Sequence, residues 1–356
     1  MKKIFSLLMI LCLVLTGCSK KDDSGDANDG SEEPSVVTIV ANVPDNTESK
    51  LYEFFATFKT EVETNSGGLV MVELQNESVK KGKEIKSIED EDFDLTILEK
   101  SILVETNPFL KMFDSWFLFL DYEHYRIAMD DKVGDIMFKE IGSNTGLKVL
   151  GSLFEDSKVF NIRGYAGLGL PEDFEPIDMG VKSAEVSVAE AKTLGANAVV
   201  IVPSNTYKYL AERVINGYDA YLKDIRSNRY YEITDTIINS NHVFDFSFIV
   251  MNQNKWDSLS VEQKDAVNTA IIHLEESYDA YVQEERKELI NFYKGYGLAI
   301  DELDKETFFY AYQDLYRGNI EYTSAWNTEY YERILRLGIN LLNEREKASA
   351  KSLSRQ

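Results

Sequence analysis

The chain has 356 residues, 44% of them hydrophobic and 28% charged, with 61 acidic against 38 basic side chains and a formal net charge of −23. That excess of acid argues against nucleic acid as a partner, because phosphates would be repelled and no basic stripe offsets the charge. Two cysteines and three histidines, none in a His-x-x-Glu-His spacing, offer little for a disulfide framework or a zinc centre.

Lys2 and Lys3 precede an apolar run, Ile4 to Leu15, which is too short for the roughly 20 residues that span a bilayer. A positive start followed by a short apolar segment reads as a secretory signal. Leu15-Thr16-Gly17-Cys18 resembles the bacterial lipobox. The resemblance implies that residues 1–17 are removed, Cys12 with them, and that Cys18 carries a lipid. Residues 18–35 contain no bulky apolar side chain. Such a segment cannot offset its ordering entropy and is expected to be a disordered tether. An anchored, solvated spacer places the rest outside the cytoplasm, in the periplasm or on the cell surface.

The remaining chain, roughly 320 residues, suits two domains. VVTIVANV (36–43) reads as a strand, and Leu51, Phe54, Phe55, Phe58 and Val62 follow at helical spacing up to Gly67-Gly68. LVMVEL (69–74) and FDLTIL (93–98) are further strands. Residues 122–141 are expected to form one helix and LKVLGSLF (147–154) a strand. A helix near 186–194 stops at Gly195, and AVVIVP (198–203) reads as a strand buried on both faces. This alternation implies an α/β fold with mostly parallel sheets. Ser260-Val261-Glu262-Gln263 is a capping box. The helix behind it has no Pro or Gly before Gly295, so it is about 50 Å long and is expected to tie two lobes together.

FDSWFLFLDYEHYRIAMDDKVGDIMFKEIGSNTGLKVLG (113–151), LGANAVVIVPSNTYKYL (194–210) and YEITDTIINSNHVFDFSFIVMNQNKWDSLSVEQKDAV (231–267) together resemble the solute-binding proteins of TRAP (tripartite ATP-independent periplasmic) transporters. The resemblance covers most of 36–310 and fits poorly over 75–92. It implies a two-lobed periplasmic-binding-protein-like fold, mixed sheets flanked by helices, with the long helix crossing both lobes. Lobe I is expected from 36–155 plus 246–285 and lobe II from 156–245 plus 286–340, with 341–356 a charged C-terminal tail. It further implies a small polar solute, an organic acid in most members of the family, captured by lobe closure and delivered to the membrane permease subunits.

The expected site departs from that pattern. The resemblance implies an arginine, whose planar fork matches a carboxylate, in the stretch that here reads Gly180-Val181-Lys182-Ser183-Ala184-Glu185. Its position falls on Ala184. A second family arginine falls near Lys158, and a glutamate expected near Asn205 is missing. The stretch usually read as Asp-Gly-Gln-Glu-Asn is here Asp219 to Lys223. The candidate ligand residues are therefore Lys158, Arg163, Lys182, Ala184, Asn205, Tyr207, Asp219, Lys223, His242 and Phe244. Three readings stay open: a carboxylate held by Lys158, Lys182, Lys223 or Arg163; another polar solute held by Asn and Tyr side chains; or a sensor or protein-interaction scaffold that no longer serves transport.

No cofactor or metal is implied. The acidic run 89–94 reads as a solvated face without EF-hand spacing. RGYAGLGLPED (163–173) lacks the P-loop lysine and reads as a flexible loop. No Gly-x-Ser-x-Gly elbow is present, so no enzyme activity is expected. The aromatic cluster from Tyr310 to Tyr331 reads as packing, while His242 and Phe244 are candidates for the pocket.

Overall fold

The computed structural model describes residues 35–353. The signal, Cys18 and all of the expected tether but Ser35 lie outside the described residues.

Strand β1 (Val37–Asn42), helix α1 (Lys50–Asn65), β2 (Val70–Gln75), α2 (Glu84–Glu89) and β3 (Leu95–Glu99) form successive strand–helix–strand units. β1 pairs in parallel with β2, from Val37 opposite Val70 to Asn42 opposite Gln75, and with β3 on its other side. The Ser49 hydroxyl accepts from Tyr52 N and starts α1. The apolar stripe of that helix buries Phe55, Phe58 and Val62 on the sheet, worth roughly 1.5–3 kcal/mol per side chain.

A short helix, α3 (Lys100–Leu103), and a 3₁₀ turn over Pro108–Asp114 lead to α4 (Tyr122–Asp130), α5 (Lys132–Thr145) and the long strand β4 (Leu147–Ile162). There follow β5 (Asp178–Val181), α6 (Glu185–Thr193), β6 (Asn197–Val200), α7 (Thr206–Ala211), β7 (Gly217–Tyr221), α8 (Leu222–Ser227), β8 (Thr236–Ile238), β9 (Phe244–Asn252) and α9 (Gln253–Ser258). The chain then runs through α10 (Val261–Tyr296), β10 (Ala299–Asp301), α11 (Lys305–Gly318), α12 (Ile320–Thr323) and α13 (Thr328–Leu353).

Strand order is β2-β1-β3-β9-β4-β7-β5-β6, with β8 and then β10 branching from β4. The first part of β4 pairs antiparallel with β9; from Lys158 onward it pairs antiparallel with β7 and β8. Two sheets thus share one strand. Register shifts fall between Val149 and Gly151 and between Phe154 and Asp156. The backbone groups freed by such irregularities need other partners, and α10 supplies them. Glu275 accepts from Ser152 N (2.6 Å) and Asp279 from Phe154 N (2.9 Å), while Arg286 donates to Ser157 O (2.7 Å). Arg126 of α4 balances both acids, at 3.2 Å from Glu275 and 3.0 Å from Asp279. A Cβ at residue 151 would lie 2.6 Å from Glu275 Oε1, so only glycine leaves that carboxylate where it is.

The capping box at Ser260 and Gln263 forms in both directions, and α10 runs for 36 residues to Gly297, which ends it at φ +107°. Its first part packs on α1 and β4 and its last part on α8 and β10, where Tyr293 Oη donates to Leu222 O. One buried core extends from Ile39 and Val72 in the first sheet through Phe154 to Phe160 and Met179 in the second. A smaller cluster on the second sheet joins Val159, Ala220 and Ile237 to Leu289 and Tyr293 of α10.

Several elements depart from expectation. The helix expected over 122–141 is two helices, because Asp131 adopts an extended backbone, ends α4 and caps α5 at Val133 N. β4 runs eight residues past the expected Phe154, through a polar stretch whose partners lie on α10. β6 is the sheet's edge strand, so Val200 is 54% exposed and not buried on both faces. The glycine-rich loop after β4 is pinned by carboxylates: Asp235 accepts from Gly164 N, and Asp301 from Gly167 N and Leu168 N. Residues 341–353, expected as tail, are the second half of α13. That helix packs on α4 and α5, although 286–340 was expected with the second lobe. Arg345 pairs there with Asp121 and Glu123.

Candidate functional site

Two adjoining cavities, about 830 and 570 Å³, open between the sheets beside β4 and share Asp114 and Tyr221 in their walls. Each falls within the roughly 300–1,000 Å³ of small-molecule sites. The first is lined by the carboxyl ends of β1 and β3, from Asn42 and from Thr96 through Lys100, and on the other side by Tyr221 at the end of β7 and Lys223 of α8. Strand ends are where open α/β sheets leave room for ligands, since the side chains there are released from the ladder and the connections diverge. The second cavity is lined by Trp116, Lys158, Lys182, Glu190 and Asp219, with Tyr322 and Trp326 from the C-terminal helices.

The register of β4 on β7 sets Lys158 opposite Tyr221 and Phe160 opposite Asp219. Lys158 and Asp219 therefore project from one face as diagonal neighbours, and Lys158 Nζ donates to Asp219 Oδ2 at 2.7 Å. Burial opposes the charge of both, yet each holds the other ionised: Lys158 is raised above its usual value, and Asp219 is held well below the carboxylate range. His242 Nε2 lies 3.8 Å from the same oxygen, too far for a hydrogen bond. Its ring stacks on Phe160 at 4.0 Å with Nδ1 2.8 Å from Ser240 Oγ. Burial lowers its pKa to about 4 against the pull of Asp219, so it is neutral at physiological pH.

Glu190 accepts from Trp116 N (3.1 Å) and Tyr316 Oη (2.5 Å). Burial still pushes its carboxyl up to about 7, these hydrogen bonds notwithstanding. Lys100 is a buried lysine at the end of β3. It donates to Asp114 at 2.7 Å, lies 4.0 Å from Asp245 and stands over the Phe246 ring.

Of the residues expected from sequence, Lys158, Lys182 and Asp219 line the second cavity and Lys223 the first, where it pairs with Glu285 at 2.8 Å. Arg163 does not reach the cleft: it donates to the carbonyls of Leu210 and Ala211 and closes the end of α7. Ala184 is the N-cap position of α6, and Asn205 and Tyr207 lie at the start of α7; none of the three lines either cavity. His242 stands behind the wall. Phe244 is core, stacked on Tyr125 and packed against Phe119 and Phe154. Sequence reasoning missed Lys100, Asp114, Trp116, Glu190 and Asp245. The available signal was positional, since Lys100 follows the strand FDLTILE directly. No arginine lines either cavity.

Residues 40–322 match the profile of the bacterial extracellular solute-binding protein family 7, DctP. The chain belongs to this family. It is similar to the sialic acid-binding periplasmic protein SiaP of Vibrio cholerae, 22% identical over 55% of this chain and 61% of that one. The 2,3-diketo-L-gulonate-binding periplasmic protein YiaO of Escherichia coli is 25% identical over 57% of this chain and 61% of its own length. The match thus spans about three fifths of these two relatives. A TRAP periplasmic solute-binding protein from Ochrobactrum anthropi, solved with its C-terminus in its ligand-binding pocket, superposes with a TM-score of 0.73 at 19% identity. That match covers 88% of this chain and 98% of that one. The fold is that of the TRAP periplasmic solute-binding proteins.

Proposed function

We propose that this family 7 protein is the extracytoplasmic solute-binding component of a TRAP-type importer. It captures a small organic acid between two lobes and delivers it to the membrane permease subunits. The observation that carries this reading is the pair of connected cavities between two sheets joined by β4 and α10. A solute contacting both sheets stabilises the closed arrangement only as far as it prefers that state. Family membership and relatives named for acidic solutes support the reading. The lobes are the two sheets with their helices, the hinge lies at the β4 register shifts, and the lipid on Cys18 holds the protein at the membrane. Binding and release are the whole task; no catalysis is assigned.

A thermal-shift screen of the full-length protein against organic acids, sugar acids, amino acids, sugars and polyols tests the proposal. A solute at 100 times its Kd adds about 2.7 kcal/mol, which raises the melting temperature by several degrees or less at this size. A flat response across every class, beside a family member that responds in parallel, overturns it.

A further inference from the structure

We propose that the solute is a zwitterion: an organic acid that also carries an ammonium group. This rests on the solute-binding reading and names the ligand class of the same cleft. Where the two cavities meet, the wall holds three carboxylates, Asp114, Asp219 and Asp245, against two ammonium groups, Lys100 and Lys158. Both lysines are already engaged, Lys158 by Asp219 and Lys100 by Asp114, each at 2.7 Å. Asp114 and Asp245 nevertheless turn outward, their side chains 65% and 41% exposed. A bare carboxylate arriving here meets net negative charge and no arginine. An ammonium group meets two accessible acceptors beside Tyr221, whose ring already carries Lys158 Nζ at 5.7 Å from its centroid.

The positive pole lies in the second cavity. Lys111 and Lys182 line it, both exposed and without an ion pair among the described residues. Lys111 and Asp114 stand three residues apart on the 3₁₀ turn Pro108–Asp114. Residues at that spacing eclipse one another in a 3₁₀ helix, about 6 Å apart along the axis. One turn therefore presents a cation and an anion on the same side, where the two poles of a single small zwitterion can be met together. The solute's carboxylate goes to Lys111 and Lys182, and its ammonium group to Asp114 and Asp245.

The test is calorimetric titration of the full-length protein with the protein amino acids and 4-aminobutanoate. Each is run beside the acid of the same skeleton that lacks the nitrogen, with a third column of neutral polyols. At least one zwitterion is expected to bind about tenfold or more tighter than its nitrogen-free partner, the weight of one charge-assisted contact. Asp114→Asn should erase that preference by weakening the zwitterion without weakening the nitrogen-free acid, and Lys182→Gln should weaken both. Should Asp114→Asn fail to fold with Lys100 left unpaired, Asp245→Asn carries the same expectation. Tighter binding of nitrogen-free acids, or of polyols alone, overturns the zwitterion and leaves the solute-binding reading standing. No binding in any column overturns both.

Discussion

Glu190 hydrogen-bonds Trp116 N and Tyr316 Oη inside the protein, yet its pKa is about 7 because burial outweighs those contacts. Glu275 is raised to about 7 in the same way. The folded state keeps these protons where the unfolded chain releases them, so stability falls as pH rises from the usual 4.5 through 7. His242 and His124 act oppositely. Burial lowers both to about 4, so their contribution is lost as pH falls below the usual 6.5. The two effects cancel near the middle, at roughly pH 5.5. Glu190→Gln mimics the protonated acid. It should match the parent at about pH 4 or below, where the acid is protonated in both states, and exceed it at about pH 8 by up to about 3 kcal/mol, read from urea unfolding at both pH values. Equal stability at the higher pH would show that the native state already ionises Glu190. Little of this was legible in the sequence. Glu190 sits in an ordinary amphipathic helix, and its burial comes from Trp116 and Tyr316, far away in the chain. Lys158 and Asp219 were legible as cleft residues only through resemblance, and their mutual engagement was not.

At the scale of elements, regular pattern was readable and irregularity was not. β1, α1, β2, β3 and the capped α10 follow from period and caps, and each lies within a residue or two of its expected start. The second half of β4 was hidden because Glu155-Asp156-Ser157-Lys158 is polar, and polar residues inside a sheet are legible only once their partners are known. Those partners are three side chains of one helix face, Glu275, Asp279 and Arg286. Gly151→Ala probes this lock. Its Cβ would displace the Glu275 carboxylate, freeing a buried backbone N–H and loosening Arg126, for a loss of about 2 kcal/mol. Adding Gly151→Ala to Glu275→Ala should cost far less than the sum of the two, measured by denaturant unfolding of all three variants. Additive losses would separate the glycine from the carboxylate.

For the molecule as a whole, a single core passes beneath the cleft from one sheet to the other. Unfolding is therefore expected as one transition, with near-ultraviolet and far-ultraviolet signals coincident. Arg286→Leu strands the Asp156 carboxylate, its buried ion-pair partner, and should lower stability by about 3–5 kcal/mol, moving both signals together. Two separated transitions would divide the protein into independently stable halves. The α/β class was legible from strand–helix alternation. The antiparallel middle of the sheet was not, because β9 follows β8 back along β4 and nothing in its own residues records its neighbours.

The C-terminal helices tie the halves in a further way. α11 packs on α6 beside the second sheet and α13 on α4 and α5 beside the first, and the short segment between them puts Tyr322 and Trp326 into the cavity wall. That segment is a strap of fixed length. For lobes that part as proposed, it limits the aperture, so the length of this strap sets how far the cleft opens as much as the hinge does.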